Sequence, residues 1–354
     1  MGEGILETVG NALGLNHVDP SAVEAMIAQW PERPRLGAQS MIAKYGTPTE
    51  STSEELIWLG QGPYKKIIVT KDEHHHDFPK PHMDFLEHTV DYRVPPERAA
   101  ALSEYDGSCT FDRTRGELKA RCDLEGHNIL TLNLAHDIVL GKLTAAEART
   151  AFSEIVTEDI KGNYPDYTTK LQFTPEDASE VKFADVPTIP GSPVRPEGLA
   201  EARGDATDGE LLGFIAAADE LEVVSAITAG SKKMSSEAAN FSQMLHEAHG
   251  AHLVQTLELG TRIGVTPLET AKIDAYRKKN VGALADLVPL DGEDFERGYL
   301  AAKVKGHTEL IEMIDSKMLG EARSDEVRHH VQSTRDHLAA HLDQAKALRP
   351  AMGW

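Results

Sequence analysis

From Thr207 to the C-terminus the sequence abandons β-rich runs and holds a 3.6-residue apolar period through four long segments, about 208–231, 235–263, 292–319 and 324–349. A lone amphipathic helix cannot bury its own stripe, and four of this length satisfy one another as a bundle. The first and third connections are short, so each flanking pair should form an antiparallel hairpin. The middle crossing, about 264–291, is longer and carries a further short helical segment, PLETAKIDAYRKKN.

Each stripe is broken by one polar residue. Glu222 interrupts Leu211, Ile215, Ala218, Ala226 and Ala229, and His249 interrupts Phe241, Leu245, Leu253 and Leu257. His307 stands among Leu300, Val304, Ile311, Ile314 and Met318, and His341 among Val327, Val331, Thr334, Leu338, Ala345 and Leu348. Burying a carboxylate or an imidazole alone in an apolar core is costly. One interruption per helix is therefore expected to form one shared cluster. A Glu plus three His offers oxygen and nitrogen donors for a transition-metal ion such as Fe, Mn, Zn or Cu. His246 and His337, each one turn before a stripe histidine, are expected behind these ligands or at a neighbouring site.

These positions also follow a longer pattern, carried by FIAAADELEVVSAITAGSKKMSSEAANFSQMLHEAH, FERGYLAAKVKGH and HLDQAKAL. Glu222 is followed by Phe241 and then His249. Phe295, Tyr299 and His307 form Phe-x3-Tyr-x7-His. His341, Leu342, Ala345 and Leu348 form His-Leu-x2-Ala-x2-Leu. In these motifs residues 208–349 resemble a bacterial family of ferritin-like four-helix proteins of unknown function, often exported and once labelled predicted outer-membrane proteins. The resemblance implies a ferritin-like bundle marked by the same four polar residues. Ala248 stands where the family has an acid, and Arg335-Asp336 where it has Leu-Pro. Paired Glu-x-x-His motifs are absent, so classical di-iron ferroxidase chemistry is not implied.

The first half reads as mixed α and β. ELIWLG and YKKIIVTKD are strand-like runs split by a QGP turn, and PPERAAALSEY opens a helix with proline. In DGSCTFDRTRGELKARCD a two-residue turn at Arg115-Gly116 sets Cys109 opposite Cys122, Phe111 opposite Ala120 and Asp112 opposite Lys119. The two thiols are then reduced but close enough to oxidise with small adjustment. Two helices follow, LEGHNILTLNLAHDIVLG and the threonine-capped TAAEARTAFSEIVTEDIKG. His127 and His136 on the first are 2.5 turns apart and cannot share a site. DFPKPH and DYRVPP resemble an uncharacterised bacterial module, which implies no activity.

The densest chemistry by eye is KDEHHHDFPKPHMDFLEH, Lys71–His88. Three consecutive histidines cannot converge in regular structure. Two could, with His82 or Asp84 arriving after the Pro79-Lys80-Pro81 turn. The prolines favour a solvated loop, with an adventitious or regulatory metal site as the alternative.

The expected organisation is an amphipathic helix over 1–19, an α+β domain over 20–173, a Pro/Gly-rich linker over 174–206 and an all-α, ferritin-like antiparallel four-helix bundle over 207–354. The formal net charge of −21 argues against nucleic acid and anionic membranes as partners and suits a metal ion. No run of about 18 apolar residues would span a bilayer, and the N-terminus lacks the basic region of a secretory signal. Two cysteines in the whole chain fit a reducing cytoplasm. The N-terminal helix docks on its own protein or offers a contact for a partner or a second copy. No phosphate loop or nucleophile elbow is present. Two readings follow. The bundle binds a transition metal, for metal handling or redox and stress protection, or it is a stress or regulatory scaffold with a structural Glu/His network and a partner-binding N-terminal module.

Overall fold

The computed structural model describes residues 18–177, 185, 187–195 and 202–348. The helix expected over 1–19 lies, but for Val18 and Asp19, outside the described residues. The chain divides into two compact units, Met1–Asp185 and Val186–Trp354.

The first unit opens with α1 (Pro20–Ile27), capped by the Asp19 carboxylate, and α2 (Glu32–Tyr45). An antiparallel sheet follows, built from β1 (Glu50–Ser51), β2 (Glu55–Gln61), β3 (Tyr64–His76), β4 (His82–Asp91), β5 (Cys109–Asp112) and β6 (Glu117–Cys122). Its strand order is β1-β2-β3-β4-β6-β5. The QGP turn closes β2 on β3 with Gly62 at φ 63°, where a side chain would be strained. After β4, Pro96–Arg98 make a single 3-10 turn into α3 (Ala99–Tyr105). Beyond β6 come α4 (Glu125–Val139), α5 (Ala145–Ile160) and the one-turn α6 (Asp166–Thr169). Thr144 caps α5 in a reciprocal capping box with Glu147. Helix α4 packs against β4, β5, β6 and α5 and is buried on most of its circumference. Trp58, Ile67, Leu86, Leu118, Leu130 and Phe152 form the centre of one continuous core.

Two sequence expectations need correction here. Asp112 pairs with Glu117, Phe111 with Leu118 and Cys109 with Ala120, so Cys109 does not face Cys122. The turn is four residues long, Arg113–Gly116, because the Asp112 side chain accepts from the Arg115 amide and Gly116 takes φ 66°. Cys122 pairs instead with Leu86 on β4, and both thiols are free. The histidine-rich stretch is not a loop. Strand β3 runs through to His76, and His76 pairs with His82, His75 with Met83 and His74 with Asp84. Of the histidines in this stretch, only His74 and His75 are exposed.

The second unit holds four long helices, α7 (Ala206–Gly230), α8 (Ser236–Ile263), α10 (Gly292–Met313) and α12 (Asp325–Leu348). Helix α9 (Ala271–Ala285) lies on the crossing, and α10 continues through a π turn at Ile314–Met318 into the short α11 (Leu319–Glu321). Asp205 and Ser235 cap α7 and α8, and left-handed Gly264 ends α8. Among the described residues no helix is long and apolar enough to cross a membrane. The Pro/Gly-rich segment is docked where it is described. Val194 bridges to Leu268, and Arg203 and Thr266 exchange hydrogen bonds.

Two apolar clusters divide this unit. One contains Leu212, Ile215, Leu259, Ile314 and Val327, and the other Ala229, Leu245, Phe295, Tyr299 and Ala345. On α7, α8 and α10 the stretch between the two clusters holds buried Asp219, His249, His252, Thr256, Lys303 and His307.

Candidate metal centre

His249 on α8, His307 on α10 and His341 on α12 are all buried, and one ring nitrogen from each lies within 4.8 Å of the others. Their ring centroids are 5.0 to 5.7 Å apart. Three helices thus each deliver one imidazole to a single point.

Most of the nitrogens at that point have no partner. His249 Nε2, His307 Nδ1 and Nε2, and His341 Nδ1 are buried without a hydrogen bond. A buried polar group left unsatisfied costs about 1–3 kcal/mol, so several at one place make this the candidate position for a ligand. Burial drives the proton affinity of His307 down to about 4, against the pull of the Glu222 carboxylate. It drives His341 to about 3, with His249 and His307 adding to the effect. Both rings are therefore neutral at pH 7, the form that coordinates a metal.

Behind His249 stands Asp219, itself buried. Its Oδ1 lies 2.8 Å from His249 Nδ1 and its Oδ2 2.8 Å from His252 Nδ1. The carboxylate fixes the proton of His249 on Nδ1 and leaves Nε2 as the free donor pair. His252 stacks on His330, with centroids 4.8 Å apart and planes 6° apart, and meets Thr334 Oγ1 at 3.2 Å. His330 Nε2 reaches Thr256 Oγ1 at 2.8 Å. A cavity of about 250 Å³, lined in part by Asp219, His249, His252, His337 and His341, opens beside the cluster.

Glu222 is next to the three histidines but otherwise engaged. Its Oε2 accepts from the buried Lys303 ammonium at 2.7 Å, and its Oε1 lies 3.9 Å from His307 Nδ1. Burial pushes this carboxyl up, but Lys303, His307 and His249 outweigh it and hold it at about 2. Of the four residues singled out from the stripes, then, three imidazoles converge and the carboxylate is ion-paired at their edge. His337 meets His252 edge-on at 5.5 Å and lines the cavity, while His246 is half-buried.

Asp219, His252, Lys303 and His330 escape the stripe argument. Helical spacing puts three of them in line with the buried faces but does not by itself set them apart from exposed polar residues. Asp219 is four residues beyond Ile215, Lys303 lies midway between Tyr299 and His307, and His252 is one turn beyond His249. On α10 the buried face runs Phe295, Tyr299, Lys303, His307, Leu310 and Ile314, with Val304 and Ile311 only half-buried. The stripe is rotated from the one read off the apolar residues because a buried lysine does not register as core.

Residues 194–348 match a family model described as a domain of unknown function (DUF4142). No curated protein matches the chain. No solved structure matches it either.

Proposed function

We propose that the C-terminal unit is a ferritin-like antiparallel four-helix bundle that binds a transition-metal ion through His249, His307 and His341, with Glu222 as the adjacent carboxylate, and that the protein serves metal handling or redox protection. The observation that carries this reading is the set of orphaned imidazole nitrogens. A structural network would pair those nitrogens with one another or with Asp219, and only His249 Nδ1 is so paired. Three imidazoles suit Fe, Mn, Zn or Cu, and the cavity beside them leaves room for a small fourth ligand. One observation favours the scaffold reading instead. The Lys303–Glu222 ion pair satisfies the carboxylate without any metal.

Metal analysis of purified full-length protein separates the two. The expected result is one transition-metal ion per chain at the bundle, counted as the difference between the parent protein and variants of the bundle histidines. It should be lost in His307→Ala and His341→Ala, with the helical far-ultraviolet spectrum retained. A protein that takes up no metal after incubation with Fe(II), Mn(II), Zn(II) or Cu(II), or binds it equally well in both variants, leaves the histidines as scaffold.

A further inference from the structure

The end of the β3–β4 hairpin carries a second cluster, in the other unit and built of different donors. His82 Nε2 lies 3.0 Å from Asp84 Oδ1 and 3.2 Å from Cys122 Sγ. His76, His82 and Asp84 each place one donor atom within 4.8 Å of the others. His76 Nδ1 is 3.3 Å from Asp84 Oδ2. The geometry points to a binding site for a divalent cation of the zinc class, with His82, Asp84 and Cys122 as protein ligands and His76 as the fourth donor.

The arrangement is held from behind. His82 Nδ1 sits 2.8 Å from the Lys80 carbonyl, which fixes a proton there and turns the Nε2 lone pair inward. Asp84 is 3% exposed; its Oδ2 accepts from the Ser108 hydroxyl, while its Oδ1 has no hydrogen-bond partner. The Ser108 amide is in turn tied to Asp106 Oδ1 at 2.8 Å. Two lone pairs, from an imidazole nitrogen and a carboxylate oxygen, thus face each other at 3.0 Å with a sulfur beside them. Either a proton on His82 or a cation resolves that repulsion. The sulfur favours the cation, because thiolate, imidazole and carboxylate together are zinc donors. Bonds of about 2.0 Å to nitrogen or oxygen and 2.3 Å to sulfur in a tetrahedron put donors roughly 3.3–3.5 Å apart, and His82 Nε2 stands 3.0 Å from Asp84 Oδ1 and 3.2 Å from Cys122 Sγ.

Binding forms a metal–sulfur bond and releases the Cys122 thiol proton. Cys122 Sγ lies 3.4 Å from Asp123 Oδ1, and that half-buried carboxylate gives the proton a route to solvent. The strand pairing explains why neither half of the motif reveals the site alone. Cys122 arrives from β6, next to Leu86 in register, long after the histidines in sequence.

The test uses full-length protein carrying His307→Ala and His341→Ala, so that the all-nitrogen cluster of the helical unit cannot contribute. Titration with Co(II) should produce a near-ultraviolet sulfur-to-cobalt charge-transfer band that saturates at one equivalent and is displaced by Zn(II). Cys109→Ser should keep the band and Cys122→Ser should abolish it. His82→Gln and Asp84→Asn, which leave the β6 thiol in place, should each weaken Co(II) binding by about tenfold or more. No band in the parent protein, or a band undiminished in Cys122→Ser, overturns the proposal. So does unchanged affinity in both His82→Gln and Asp84→Asn, which would leave His82 as a protonated partner of Asp84 only.

Discussion

Asp219 gives one carboxylate oxygen to His249 and the other to His252, so a single short side chain orients two imidazoles. Replacing it with asparagine keeps the shape but removes the charge and one acceptor. Asp219→Asn should therefore lower metal affinity by about 10- to 100-fold while the fold survives, measured by competition against a chelator of known affinity. An unchanged affinity would show that His249 is held by packing alone. At this scale the sequence is informative about residues that contradict their surroundings. His249, His307 and His341 stand out because each breaks an apolar run. Asp219 and Lys303 do not, because a charged residue on a helix is by default assigned to water. Only the three-dimensional neighbour, His249 for one and Glu222 for the other, makes either worth burying.

Helix α7 owes its seating to missing side chains. A β-carbon on Gly213 would meet the Leu268 carbonyl oxygen at 1.9 Å, and one on Gly209 the Thr266 carbonyl at 2.6 Å. In a free helix Gly→Ala stabilises by roughly 1 kcal/mol. Here the sign reverses, because the alanine must push the 266–268 backbone away. Gly213→Ala should lower stability by about 2–4 kcal/mol, read as a shifted urea midpoint of the helical transition with an unchanged slope. A stabilised variant would mean that the crossing is loosely attached. The long helices were legible because apolar periodicity accumulates over six or seven turns. Short elements gave less. The β5–β6 hairpin is misread by two residues because the Asp112 side chain, not Arg115-Gly116 alone, decides the turn. The histidine-rich stretch reads as a loop although β3 and β4 extend across it, since strand pairing there depends on partners that no local window contains.

Acid should act on the first unit through Glu125 at the start of α4, which accepts from Tyr45 and from Lys44 and lies 3.5 Å from His88 Nε2. Burial raises its proton affinity, but His88, Lys44 and Tyr45 more than reverse this and bring it from 4.5 to about 2. A depressed carboxyl contributes stability that is complete above 4.5 and lost as the pH falls towards 2. Glu125→Gln should lower stability at neutral pH and flatten the acid limb in that window. Tryptophan fluorescence reads this in a Trp354→Phe background, where Trp30 and Trp58 report on the first unit alone. An acid limb identical to that of the parent would assign the sensitivity elsewhere. The change in character along the chain, from paired strands to sustained helical stripes, is visible in composition alone. The docking of Val194 and Arg203 onto the 264–269 loop is not, because a backbone hydrogen bond leaves no trace in residue type. The three imidazoles of the helical unit come from helices far apart along the chain. An ion held by all three would act as a reversible cross-link, closing two long loops much as a disulfide does but released by a chelator rather than a reductant. Its grip on the folded state would grow with the free ion concentration, by about 2.7 kcal/mol at a hundred times the dissociation constant. The lifetime of the protein would then follow the local metal supply, scarcity marking it for turnover.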